Sequence, residues 1–298
     1  MKKTLIVLAL LASFQVANAQ SNVNSAAKAV ESALAASQNE KKATKVATWM
    51  KLAQTYVDAY GAPAGNVWIG ADMNALQLSM GGEKPSSVET VTLNGAQYTK
   101  QIYENKNLYF NANGQLSVIE IVKPVVENAL SKALEAYKKA YELDEKHSKD
   151  KDISAGIKTI SEKLNHEAYN AYTLGDVKKA EEYFEAAYEA AAQKPYAQID
   201  TNSLYNAAFT SWSTENFSKA KTMFDKCLGY GYYGDGGEVF AKLSDCVSHI
   251  DTTAAGKAAA KEYLEQGFQK FPTSEGIVFG LINYYMTSGE GTDRLFEL

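Results

Sequence analysis

From residue 133 onward, small and bulky apolar residues recur in this chain at one fixed spacing. A small residue is followed four positions later by a large one, and three positions after that by another small one. The sets are Ala133, Tyr137, Ala140; Ala180, Phe184, Ala187; Ala220, Phe224, Cys227; and Ala260, Leu264, Gly267, with Pro272 closing the last. That spacing puts each set on one face of a helix. Small residues on either side of a large one let two helices cross closely while the large side chain fills the gap. Successive first members stand 47, 40 and 40 residues apart, so the pattern is a repeat with loops of unequal length. The later sets have amphipathic stretches upstream: Leu164 and Ala168 leading to Gly175, then Leu204, Ala207 and Ala208, then EVFAKLSDCVSHI over residues 238 to 250. Beyond Pro272, Leu281, Tyr285 and Gly289 begin a fifth helix pair, and Ala26, Val30 and Ala33 form a degenerate second helix near the other end.

Residues 48 to 61, TWMKLAQTYVDAYG, open a further pair through Trp49, Leu52, Ala53 and Tyr56. Its companion should start 16 residues after Trp49, where Gly65 stands; the first available set is at Ala133. In between, the period falls from 3.6 to 2. β-Branched and aromatic residues alternate, and Asn94-Gly95 and Asn113-Gly114 supply the strongest short hairpin signal. Residues 61 to 124 are therefore read as a β-rich insertion, a three- or four-stranded antiparallel meander between the two helices of one pair. Pro124 suits the first turn of the returning helix. The other arrangement ends one degenerate unit with the helix at 48 to 61 and places a separate β-domain before the array. Both predict the same helical array from residue 125 to 298.

These helices resemble the tetratricopeptide-repeat (TPR) family, and the chain is similar to exported TPR proteins of Gram-negative envelopes. The likeness spans about residues 45 to 60 and 125 to 290. It implies a mainly α fold, an α-α superhelix whose concave face is lined by the first helix of each pair and binds peptides or protein segments, without catalysis and without a cofactor. The groove positions it implies are Asn165, Tyr169 and Tyr172 in one unit and Tyr205, Phe209 and Trp212 in the next. The Lys and Asn residues with which chaperone-binding members clamp a terminal carboxylate are absent there. Aromatic groove residues suit apolar or proline-containing segments, or sugar rings, through flat, rigid faces. The competing reading of this stripe is packing between helices.

The first residues, MKKTLIVLALLASFQVANAQ, combine a basic start, an apolar run too short to cross a bilayer and an Ala-x-Ala ending. Residues 1 to 19 are expected to be a cleaved secretory signal, with residues 20 to 60 carrying the N-terminal helices of a periplasmic or secreted protein that has no membrane span once mature. The formal net charge of −5 becomes more negative without Lys2 and Lys3, and Arg294 is the single arginine. Nucleic acid is disfavoured as a ligand, because it needs a basic face and favours arginine. Cys227 and Cys246 in an oxidising compartment are compatible with one disulfide, or with two small buried thiols.

Chemistry is not written into the motifs. His147, His166 and His249 lack metal-ligand spacing, and DEKHSKDKD at residues 144 to 152 lacks the order of a calcium loop. GYGYYGDGGE at residues 229 to 238 has no Lys-Ser/Thr after its glycines and reads as a long turn between repeats. The expected function is a non-enzymatic scaffold binding another envelope protein or a peptide segment through the groove, with the β-insertion as a second contact surface. A glycan-binding envelope module is the alternative. In the fifth pair, the alanine of the second helix would fall at Arg294 and the chain stops at Leu298. That pair is therefore read as truncated, with further repeats missing.

Overall fold

A computed structural model describes residues 23–80 and 83–288 of the chain. The fold is mainly helical, with one small four-stranded antiparallel sheet. In order come α1 (Val23–Gln38), α2 (Glu40–Ala43), α3 (Val46–Gly61) and α4 (Met73–Ser79). The sheet follows: β1 (Ser87–Leu93), β2 (Ala96–Ile102), β3 (Lys106–Phe110) and β4 (Leu116–Ile121). Then come α5 (Ala129–Leu143), α6 (Asp150–Thr173), α7 (Val177–Ala191), α8 (Thr201–Ser213), α9 (Phe217–Gly229), α10 (Glu238–Ile250), α11 (Ala254–Lys270) and α12 (Glu275–Ser288). The predicted export signal and the region around Arg294 lie outside the described residues.

The small–large–small sets are buried as their spacing requires. Ala133, Ala140, Ala180, Ala187, Ala220, Phe224 and Cys227 are completely buried, and Tyr137, Phe184, Ala260 and Leu264 nearly so. Each helix from α5 to α12 packs on the next, and α3 packs against α5. The helix opened by Trp49 thus finds its companion across the insertion: Leu52, Ala53 and Tyr56 share one core with Ala133, Tyr137 and Ala140. Tyr60 adds a polar tie by donating to Glu167 Oε1 of α6 at 2.5 Å. Burial drives the Glu167 carboxyl upward from its ordinary range.

At Gly267 side chains of α10 and α12 press onto the α11 backbone because the residue lacks a side chain. A Cβ there would stand 2.7 Å from Phe240 Cβ and 2.8 Å from Ile277 Cδ1. Gly267→Leu should therefore cost about 3 kcal/mol, at the upper end of overpacking losses, read as a fall in the denaturation midpoint. An unchanged midpoint would show that this crossing is loose.

The sheet has the order β1-β2-β3-β4, a plain meander. Asn94 and Gly95 both take positive φ, 50° and 80°, as the tight turn between β1 and β2 demands. The insertion also contains α4, which the alternation of residues 61 to 124 does not announce. Seven residues with Leu76 as the sole buried side chain are too few to show a helical period. α4 and the sheet enclose their own core of Ala71, Leu76, Tyr103, Leu108, Phe110 and Leu116, separate from the helical cores. The insertion is not loose, however. Asn94 Nδ2 donates to the carbonyls of Tyr172 at 3.1 Å and Thr173 at 3.3 Å, in the last turn of α6. Asn170 Nδ2 of α6 donates to the Ile119 carbonyl of β4 at 3.2 Å. Since the cores are separate, replacing residues 63 to 122 with a short Gly/Ser loop should leave a helical protein that still unfolds cooperatively. A non-cooperative melt would show that the sheet belongs to the main core.

The Gly-rich stretch after α9 is a turn between helices. Gly229 ends α9, and Gly231, Gly234, Gly236 and Gly237 all have positive φ. Tyr232 packs against Tyr205 at 5.6 Å between ring centroids, and Tyr233 stacks on Phe240 at 5.7 Å. Cys227 and Cys246 are free thiols, each completely buried in the same core. The disulfide that an even count allowed is not formed. Both residues serve as small apolar fillers, and burial pushes both thiols up to about 12.

Candidate functional site

The helices α6, α8 and α10 bring the sequence-selected residues together along their faces. Three contacts between α8 and α10 keep one offset: Tyr205 with Glu238, Phe209 with Lys242, and Trp212 with Asp245. Each residue on one helix meets the one 33 positions later, which requires the two helices to run parallel and in step. Between α6 and α8 the contacts ascend in the same direction: Asn165 with Ser203 and Tyr169 with Asn206.

The chemistry of these contacts separates the six residues. Asn165 Nδ2 donates to Ser203 Oγ at 2.5 Å, and Ser203 Oγ donates to Asp200 Oδ2 at 2.6 Å. Asp200 also accepts from the Ser203 amide at 3.0 Å, so it caps the N-terminus of α8. Asn165 is thereby committed to holding that cap. Tyr172 packs against the core shared by α6 to α10, and its carbonyl is held by Asn94 of the sheet.

Tyr205 is also committed to structure. Its hydroxyl donates to Glu238 Oε1, and its ring meets Phe209, Phe224 and Tyr232. Burial, then the Glu238 carboxylate, raises its pKa far above the ordinary tyrosine value. What remains accessible is a narrower set. Tyr169 is 38% exposed, rests edge-on against Phe184 at 5.1 Å, and accepts from Asn206 Nδ2 at 3.1 Å. Phe209 and Trp212 are half-buried, with ring centroids 5.8 Å apart. Trp212 Nε1 donates to Asp245 Oδ2 at 2.6 Å. The Lys242 ammonium lies 3.8 Å from the Trp212 ring centroid and 4.8 Å from that of Phe209, well within cation–π range.

Sequence reasoning missed Glu238, Asn206, Lys242 and Asp245. The signal was present, since Glu238, Lys242 and Asp245 repeat the i, i+4, i+7 spacing of Tyr205, Phe209 and Trp212. Polar and aromatic stripes of equal period on alternate helices, here α8 and α10, are what a shared seam requires.

Among the described residues, no group of three or more His, Cys, Asp or Glu side chains could hold a metal, and no helix is long and apolar enough to cross a membrane. Neither a scan against protein-family profiles nor a search of curated proteins finds a match.

Proposed function

We propose that this chain is a TPR-like binding protein without catalytic activity, exported to the periplasm or beyond. On this reading it holds an extended segment of another envelope protein across the faces of α6, α8 and α10. The observation that carries this is the in-step contact between parallel helices, with accessible aromatic and amide groups left along the seam. Tyr169, Asn206, Phe209 and Trp212 offer alternating aromatic edges and hydrogen-bonding groups, which suit the alternating side chains and amides of an extended peptide. The in-step α6, α8 and α10 contacts also support a superhelical arrangement, in which the first helices of successive pairs line one surface.

The Lys242 ammonium favours peptide over sugar. It covers one face of Trp212, and a sugar ring needs such a face open. A glycan array run beside a library of immobilised peptides from envelope proteins tests the choice. Peptide binding that Phe209→Ala and Trp212→Ala weaken at least about tenfold is the expected result. Binding confined to glycans would replace this reading with the glycan module.

A further inference from the structure

The sheet ends in an edge that is unusually well suited to pairing. Among the described residues, β1 pairs with β2 and with no other strand. Strands at sheet edges carry a row of backbone N–H and C=O groups that can template another strand, and proteins commonly block them with charges, prolines or bulges. β1 reads SVETVTL, with one charge, no proline and no bulge; the irregularity of this sheet lies between Tyr109 and Phe110. Five of its seven residues are exposed, including Val88 at 57%. Its β-branched content, Val88, Thr90, Val91 and Thr92, favours the extended state. The hairpin tip is held at the end of α6 by Asn94, so the edge is presented on a fixed support.

We infer that β1 is a self-association edge, pairing antiparallel with β1 of a second copy of this chain about a two-fold axis at Thr90. The occupant follows from the self-complementarity of the strand. Centring the axis on Thr90 engages the whole strand: Ser87 stands opposite Leu93, Val88 opposite Thr92, Glu89 opposite Val91, and Thr90 opposite itself. The single charge therefore never meets its own copy, which would be destabilising. Glu89 instead keeps Lys100, the residue it faces on β2. Val88, Thr90 and Thr92 share one face, so each exposed Val88 gains a β-branched threonine as its cross-strand neighbour, and the two sheets become one of eight strands. The contact is isologous and closes at two copies, because each β1 edge is used once. A seven-residue strand pair is a small interface, so the dimer is weak and concentration-dependent.

The test uses the full chain with single cysteines placed along β1. Cys227 and Cys246 are completely buried and do not compete for exposed-thiol chemistry. Oxidation of Thr90→Cys with diamide should give a covalent dimer at least about tenfold faster than oxidation of Thr92→Cys, whose two copies lie four residues out of register across the axis. Mixing Val88→Cys chains with Thr92→Cys chains should restore rapid cross-linking between the two kinds. In parallel, sedimentation of the unmodified chain should show its mass rising toward twice that of the monomer with concentration, and Val88→Lys should abolish that rise while circular dichroism stays unchanged. Equal cross-linking at positions 90 and 92 would overturn the proposal as random collision. A mass that stays monomeric throughout the concentration series would overturn it too, leaving the edge to a foreign strand.

Discussion

Raising the pH from 9 to 12 should unfold the protein over a narrow range, with the two buried cysteines as a main cause. In the unfolded chain a cysteine thiol loses its proton near pH 8.5. In the folded chain, burial pushes Cys227 and Cys246 up to about 12. The folded pKa lies above the unfolded one, so between these limits the unfolded chain holds fewer protons and stability falls as pH rises. The fall is about 1.4 kcal/mol per pH unit for each thiol in that window. Two thiols over two units lose about 6 kcal/mol, a large share of the roughly 5–15 kcal/mol that holds a typical domain. Tyr188, pushed up to about 12 by burial and by the neighbouring Tyr230 hydroxyl, adds in the same direction above pH 10. Circular dichroism along an alkaline titration reads the transition. The pair Cys227→Ala and Cys246→Ala should flatten the pH dependence between 9 and 11 even though each substitution lowers stability at neutral pH. An unchanged slope would show that the thiols are not the groups responsible.

The second large effect separates two neighbours on α8. Tyr205→Ala should cost about 3 kcal/mol of folding stability. It removes a ring packed on Phe209, Phe224 and Tyr232 and strips Glu238 of the hydroxyl that donates to it. Phe209→Ala, four residues on and half-buried beneath Lys242, should cost about 1 kcal/mol and act mainly on partner binding. Urea denaturation of both variants reads the difference. Equal losses would mean that the seam between α8 and α10 does not sort its residues into structural and accessible ones. The sequence alone left both residues open between the binding surface and packing between helices. The Glu238 contact moves Tyr205 to the structural side.

That reassignment marks where sequence reasoning ends. Burial of the small–large–small sets followed from spacing, because a helix face shared by Ala133, Tyr137 and Ala140 has to be covered. The meander followed from a period of two and from Asn94-Gly95, whose positive φ the turn requires. The companion of α3 was one of two arrangements the sequence left open, and the packing of α3 on α5 matches the one in which α5 carries the first set after the insertion. α4 was hidden because one buried leucine shows no period. The candidate site was half legible: an i, i+4, i+7 stripe of Tyr205, Phe209 and Trp212 says that the face is occupied and does not say by what. Only the offset of 33 residues to Glu238, Lys242 and Asp245 shows that much of it is occupied by α10, two helices on. The contact of Asn165 was hidden for a related reason. Its partner, Ser203, belongs to a helix cap, and capping contacts between distant segments leave no periodic trace.

The central claim, that an extended segment of another protein lies along α6, α8 and α10, is tested most directly by position-specific photo-cross-linking in intact cells. A photoreactive amino acid at Phe209, beside Lys242, should yield a discrete protein adduct whose linked peptide is a single extended segment. The same group at Thr222, exposed on α9, should yield none. Adducts of equal strength at both positions, or a glycan as the sole species held at Phe209, would contradict the account.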